Sequence, residues 1–126
     1  MTSAKILFDN DKLEESVAMT YYSMYYSALA LFYRVGIRCE NHTATLFLLQ
    51  DVFGVDNAEL LAAKSERIDK QYYVDFSISK SEVEKLIKKA EQFNSRLFDF
   101  IDRLTEAKIT DFLKKFKSAV KRKLPR

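Results

Sequence analysis

The sequence is poor in the residues that break chains. It has two glycines, Gly36 and Gly54, and a single proline, Pro125, next to the C-terminus. Folds with many strands need a turn residue every few positions, so this scarcity points to an all-α chain. The one cysteine, Cys39, excludes an internal disulfide and a cysteine-based metal cluster, and reads as a reduced thiol. With one histidine, His42, and scattered carboxylates, no metal-ligand spacing exists, and no metal or cofactor is expected. Two separated glycines cannot form a phosphate-cradling loop. No nucleophile–base pair stands out. The longest apolar run, Ala28 to Tyr33, is far below the roughly 20 residues that span a bilayer. The opening MTSAKILFDNDKLEES has no apolar core of signal-peptide length, so the expectation is a soluble cytoplasmic protein. On that ground the glycosylation-like triplet Asn41-His42-Thr43 is set aside.

What the chain does have is helix-forming pattern and aromatic surface. Its 126 residues suit one domain with a real core, and 48% hydrophobic content argues against disorder. The pattern from Asn10 or Asp11 runs unbroken to Gly36, predicting a helix of about 25 residues, roughly 38 Å long. Gly36 is its stop, with Arg34 in the last turn. Leu13, Val17, Tyr21, Met24, Ala28, Leu31 and Phe32 recur at spacings of mostly three and four on one face. Tyr22, Tyr26, Leu29 and Tyr33 lie on an adjoining face at the same spacing. A helix with two apolar faces is central in a bundle, faces a second protomer, or does both. Here the second face is the expected homodimer surface, since tyrosines offer large, semi-rigid rings with a polar tip.

The remaining helices follow the same logic. Asn41 or Thr43 can cap a helix ending near Phe53, where Gly54 stops it. Asp56 or Asn57 starts another, with Leu60, Leu61, Ile68 and Tyr72 as its apolar residues. Val74, Phe76 and Ile78 alternate with polar residues and read as extended or loop. Ser81 with Glu84 forms a capping box for the last long helix. Its seam, Val83, Ile87, Ala90, Asn94, Leu97, Ile101 and Leu104, can pack along the first long helix, with Asn94 setting register or hydrogen-bonding. No internal repeat is evident. The expected architecture is an antiparallel up-and-down bundle of four main helices over residues 1–107, plus a C-terminal basic helix or tail over 108–126.

That tail carries eight Lys or Arg against one Asp, net +7 in a chain of net +3, so residues 1–107 are net acidic. Ile109, Phe112, Leu113, Phe116 and Val120 share one helical face. Such a helix either docks on the bundle with its lysines in water, or uses Lys114, Lys115, Lys121 and Arg122 on nucleic acid, or lies on an anionic membrane.

Three stretches carry a family likeness. Tyr21-Tyr22-Ser23-Met24-Tyr25-Tyr26-Ser27-Ala28 is followed at the right distance by Gly36; Glu40-Asn41-His42-Thr43 opens the next helix; and Arg67-Ile68-Asp69-Lys70-Gln71-Tyr72 lies in the one after. In order and spacing the chain resembles the HEPN domain family over about residues 10–105, in particular its small stand-alone archaeal and bacterial members. The resemblance implies a helical bundle that dimerises through its long helices. It also implies work beside a small nucleotidyltransferase as a toxin–antitoxin-like pair, with the transferase modifying a tyrosine near Arg67; Tyr72 and Tyr73 lie where that target would be. Many members are metal-independent ribonucleases whose arginine is followed, four to six residues on, by a histidine. Here Arg67 is followed five residues on by Tyr72, whose hydroxyl is a poor base at neutral pH. Members usually begin with a complete amphipathic helix, so here the first helix reads as cut short or missing.

The expected function is therefore a dimeric interaction protein, partner of a nucleotidyltransferase, binding nucleotide or RNA through Arg67, Asp69 and His42. The alternative is an endoribonuclease with an atypical site of Arg67 with Tyr72 or His42. Both residues also have plain roles. Arg67 can pair with Glu66, Asp69 or another carboxylate, and His42 can cap or pack at its helix N-terminus.

Overall fold

The computed structural model describes residues 1–72 and 79–123, with side chains for 1–67 and 79–121. The described residues form six helices joined by turns and loops, and no strand occurs among them: α1 Thr2–Asp9, α2 Leu13–Val35, α3 His42–Asp51, α4 Ala58–Tyr72, α5 Lys80–Asp102 and α6 Glu106–Lys123. The fold is an all-α bundle, and no helix among the described residues is long and apolar enough to cross a membrane. The expectation for Val74, Phe76 and Ile78 falls outside the described residues.

Helix α2 occupies the centre, packed against α5, α4 and α1 and, over shorter stretches, α3 and α6. Its predicted inner face is buried: Val17, Tyr21, Met24, Ala28, Leu31 and Phe32 are all essentially inaccessible. Facing them are Ala90, Phe93 and Leu97 of α5, Leu48 and Leu49 of α3, and Leu60 and Ala63 of α4. Ala28 and Ala90, both fully buried, are small enough to let the two long helices approach closely. Emptying a ring position such as Phe32, fully buried and stacked 5.4 Å from Phe53, would cost about 3–5 kcal/mol. Leu61, expected in the core, is half exposed. Leu60 and Ala63 already fill that face, and the next residue along a helix turns about 100° away.

The stop at Gly36 matches the sequence, α3 ends at Asp51 rather than near Phe53, and the starts match in part. Gly36 ends α2 in the left-handed conformation (φ 95°), with the Ile37 N–H donating to Phe32 O at 2.8 Å. Asn41 caps α3, its side-chain oxygen accepting from the Ala44 N–H at 2.9 Å. The segment before α2, expected to be a truncated or absent helix, forms a two-turn helix, α1. Asn10 closes α1 by donating from Nδ2 to Ile6 O at 2.8 Å, so it is not free to start α2. Asp11 makes the reversal at φ 59°, a region short polar side chains tolerate, and α2 begins after Lys12 with no side-chain cap. The capping box of α5 is Ser79 with Glu82, one overlapping Ser-x-x-Glu earlier than Ser81 with Glu84. The earlier box lengthens the helix by two residues, and Glu84 instead pairs with Lys88 at 3.6 Å.

The α2–α5 seam holds one polar cluster. Asn94, 8% exposed, donates from Nδ2 to Ser23 Oγ at 2.9 Å and accepts from Ser27 Oγ at 2.8 Å. A buried amide so satisfied costs little, and it fixes the seam to one register because a slipped helix would leave it unpaired. Helix α6 lays Ile109, Phe112, Leu113 and Phe116 against the same core, with Ala119 buried, so Lys108, Lys114, Lys115, Lys117 and Lys121 face water. Replacing Asn94 by Ala is expected to lower unfolding free energy by about 1–3 kcal/mol, read from urea midpoints. A change near zero would remove the seam's polar pairing from the account.

Candidate functional site

The side chains with chemical potential converge where α2, α3 and α4 meet. His42 is the first residue of α3, held there by the Asn41 cap. Arg67 comes from α4, and Tyr21, Tyr22 and Tyr25 from the middle of α2. The Tyr21 hydroxyl is hydrogen-bonded to His42 Nδ1. The His42 ring stacks on Tyr25 with centroids 4.1 Å apart and planes 19° apart, and meets the Tyr22 ring edge-on at 6.5 Å. The Arg67 guanidinium carbon lies 5.0 Å from the Tyr22 ring centre and 5.6 Å from that of Tyr21. Tyr21 and Tyr22 are thus the shared floor under a histidine and an arginine separated by 25 positions. Lys64, one turn before Arg67, reaches back to Thr43 Oγ1 at 3.3 Å, on the first turn of α3.

The electrostatics run one way. Burial holds His42 below its ordinary value, and the Arg67 and Lys64 cations push it further down. The positive end of α3 acts in the same sense. Burial pushes the Tyr21 hydroxyl up to about 12, against the pull of Arg67, and burial raises Tyr25 as well. At neutral pH the pair is therefore a neutral phenol and a neutral imidazole. Among the described residues the Tyr21 hydroxyl has no acceptor other than His42 Nδ1. A buried hydroxyl proton left unbonded is costly, so Tyr21 donates and the ring proton sits on Nε2. His42 then offers an N–H, beside Arg67, whose Nε is buried and has no hydrogen-bond partner among the described residues. Two cations, one imidazole N–H and a helix N-terminus make a place suited to an anion, with tyrosine rings beside it.

With this arrangement in view, the likeness in sequence becomes a finding. The HEPN domain family model matches residues 1–98. The chain belongs to the HEPN domain family. The match takes in α1 and ends within α5, so α6 lies beyond it. No curated protein matches the chain.

In this HEPN chain the sequence had named Arg67 and His42, and the fold brings them to one cluster. Asp69, Tyr72, Tyr73 and Arg122 lie outside the residues whose side chains are described. Lys114, Lys115 and Lys121 are exposed on α6, and no hydrogen bond, ion pair or ring contact ties them to the cluster. Of the outer face of α2, Tyr26 and Tyr33 are 63% and 86% exposed, while Tyr22 and Leu29 are half-buried. Sequence reasoning missed Tyr21 as the partner of His42, Tyr25 as its stacking ring, and Lys64. The i, i+4 pair Tyr21 and Tyr25 was visible, but its target, on another helix, was not. Among the described residues no group of His, Cys, Asp and Glu could hold a metal ion.

His42 is the only histidine, so its titration is readable without assignment. Its NMR midpoint should fall below the reference 6.5 and climb in Arg67→Ala. The unfolded imidazole takes a proton near 6.5 and the folded one resists it, so stability is full above that pH and is lost as pH drops through the window below it. His42→Gln should flatten that acid limb. A midpoint at or above 6.5 would remove the buried, cation-flanked environment from the account.

Proposed function

We propose that this HEPN protein binds nucleotide or RNA phosphate at the Arg67–His42–Lys64 cluster, as a homodimer, and pairs with a small nucleotidyltransferase in a toxin–antitoxin-like couple. One observation carries the binding half: with Tyr21 donating to Nδ1, His42 presents Nε2–H as a donor beside two cations. A donor array of this kind orients a phosphate, and the flanking tyrosines suit a base. The exposed rings of Tyr26 and Tyr33 support dimerisation, because large aromatic side chains left in water on a buried helix's outer face gain from a partner. The transferase half rests on family membership and on Tyr72 and Tyr73 following Arg67.

A second reading is favoured by His42 being unprotonated at neutral pH next to a guanidinium. In metal-free RNA cleavage an imidazole nitrogen takes the 2′-hydroxyl proton as that oxygen attacks phosphorus. The 5′-oxygen leaves with a proton from water, a cyclic phosphate remains, and arginine steadies the charge. For His42 to act so, Nε2 must be bare. The ring proton would then move to Nδ1, and the Tyr21 proton would need another acceptor. That requirement places binding ahead of cleavage.

A labelled mixed RNA pool, incubated without metal with wild type and with Arg67→Ala, tests both. Retention of intact RNA, weakened about tenfold in the variant, is the expected result. Cleavage lost in Arg67→Ala would move the conclusion to the second reading. Neither binding nor cleavage would overturn both. For the partner, incubation with a nucleotidyltransferase and ATP should add a nucleotidyl mass to the peptide carrying Tyr72 and Tyr73. An unmodified peptide removes those tyrosines as its target.

A further inference from the structure

A groove between α5 and α6 is built from one pattern used twice. On α5 and its C-cap, Arg96, Asp99, Phe100 and the capping Arg103 stand at spacings of three, one and three, which places them on a single helical face. On α6, Lys108, Asp111, Phe112 and Lys115 repeat the order cation, aspartate, phenylalanine, cation, twelve residues on. The two copies, together with Leu104 at the turn, make up the whole lining of a cavity of about 390 Å³. The sequence reading passed over this repeat because it is short and its meaning lies in two helix faces meeting.

The chemistry of the groove is specific. Phe100 and Phe112 lie 5.8 Å apart at 38°, and Phe112 is backed by Phe53 at 4.8 Å, so the floor is aromatic and supported from below. Four cations stand on the rim against two aspartates. Arg96 is tied to Glu59 at 2.9 Å and Arg103 to Asp99 at 3.3 Å. Lys108 and Lys115 are exposed and have no ion pair among the described residues, and the Lys115 ammonium lies 5.7 Å from the Phe112 ring centre. Aromatic rings flanked by cations are how sequence-tolerant nucleic-acid sites hold a base and its phosphates. The volume falls in the range of small-ligand pockets. The aspartates add acceptors for ribose hydroxyls or base amino groups, and they penalise a bare phosphate that has no such donors.

We infer that this α5–α6 groove binds one nucleotide unit, the base against Phe100 and Phe112 and the phosphate on Lys108 and Lys115. The unit is either a free mononucleotide or one residue of a single strand. The groove lies almost wholly beyond the stretch matched by the family model and shares no side chain with the Arg67–His42 cluster, so neither site depends on the other.

The test is NMR of the full chain with labelled phenylalanine and histidine, titrated with AMP, with a short oligoadenylate and with inorganic phosphate. AMP or oligoadenylate should shift the Phe100 and Phe112 ring resonances upfield, and inorganic phosphate should not. A response at much lower concentration to the oligomer identifies the strand as the source; equal responses identify the free nucleotide. Lys108→Ala combined with Lys115→Ala, which leaves the core untouched, should weaken the response about tenfold. His42 resonances in the same spectra report the other site separately. No ring shift with either nucleotide, or a shift indifferent to the lysine substitutions, overturns the inference, whatever His42 does.

Discussion

A 23-residue helix with apolar side chains around more than half its circumference cannot stand against water by one contact. Helix α2 is such an element, and the other helices are arranged to relieve it. The matched length of α5 lets one seam run along it, α4 and α1 cover further stripes, and α3 and α6 close the end around Phe32 and Phe53. Hydrophobic burial is non-directional, so it alone would not choose a register. The Asn94 bonds to Ser23 and Ser27 do so, because an unpaired buried amide is a larger penalty than any gain from a slipped seam.

The same central position explains the chemistry of the cluster. Tyr21 and Tyr25 belong to the buried stripe of α2, so any polar group reaching them leaves water. His42 does this at the cap of α3 and is held neutral as a result. Arg67 lies over the Tyr21 and Tyr22 rings, where its guanidinium is attracted to their faces. Aromatic packing made for stability thus becomes a rigid platform for groups that would otherwise be mobile.

Charge is distributed along the chain with a similar economy. The acidic balance of residues 1–107 and the basic excess of 108–126 are separated in sequence, yet α6 folds back with its apolar face on the common core. Lys108 and Lys115 then add to Arg96 of α5 and Arg103 at its C-cap across a short turn. A positive rim arises over an aromatic floor without any one helix being unusually basic on its inner side.

Helix existence was legible because it depends on local rules. Gly36 as a left-handed stop, Asn41 as a cap and the inner stripe from Val17 to Phe32 could all be read from spacing. Where two local solutions overlapped, as with the Ser-x-x-Glu boxes at 79 and 81, or where Asn10 could close one helix or open the next, only the folded chain chose. The likeness to HEPN proteins was readable from three short stretches. By itself the sequence determined an all-α chain, a two-faced central helix and a basic end, since each follows from periodicity and composition within a few turns. Tertiary structure alone decided that Tyr21 meets His42, that Arg67 shares their floor, and that two copies of a four-residue pattern face one groove. Those pairings set distances between residues far apart in the chain, and no local preference encodes them.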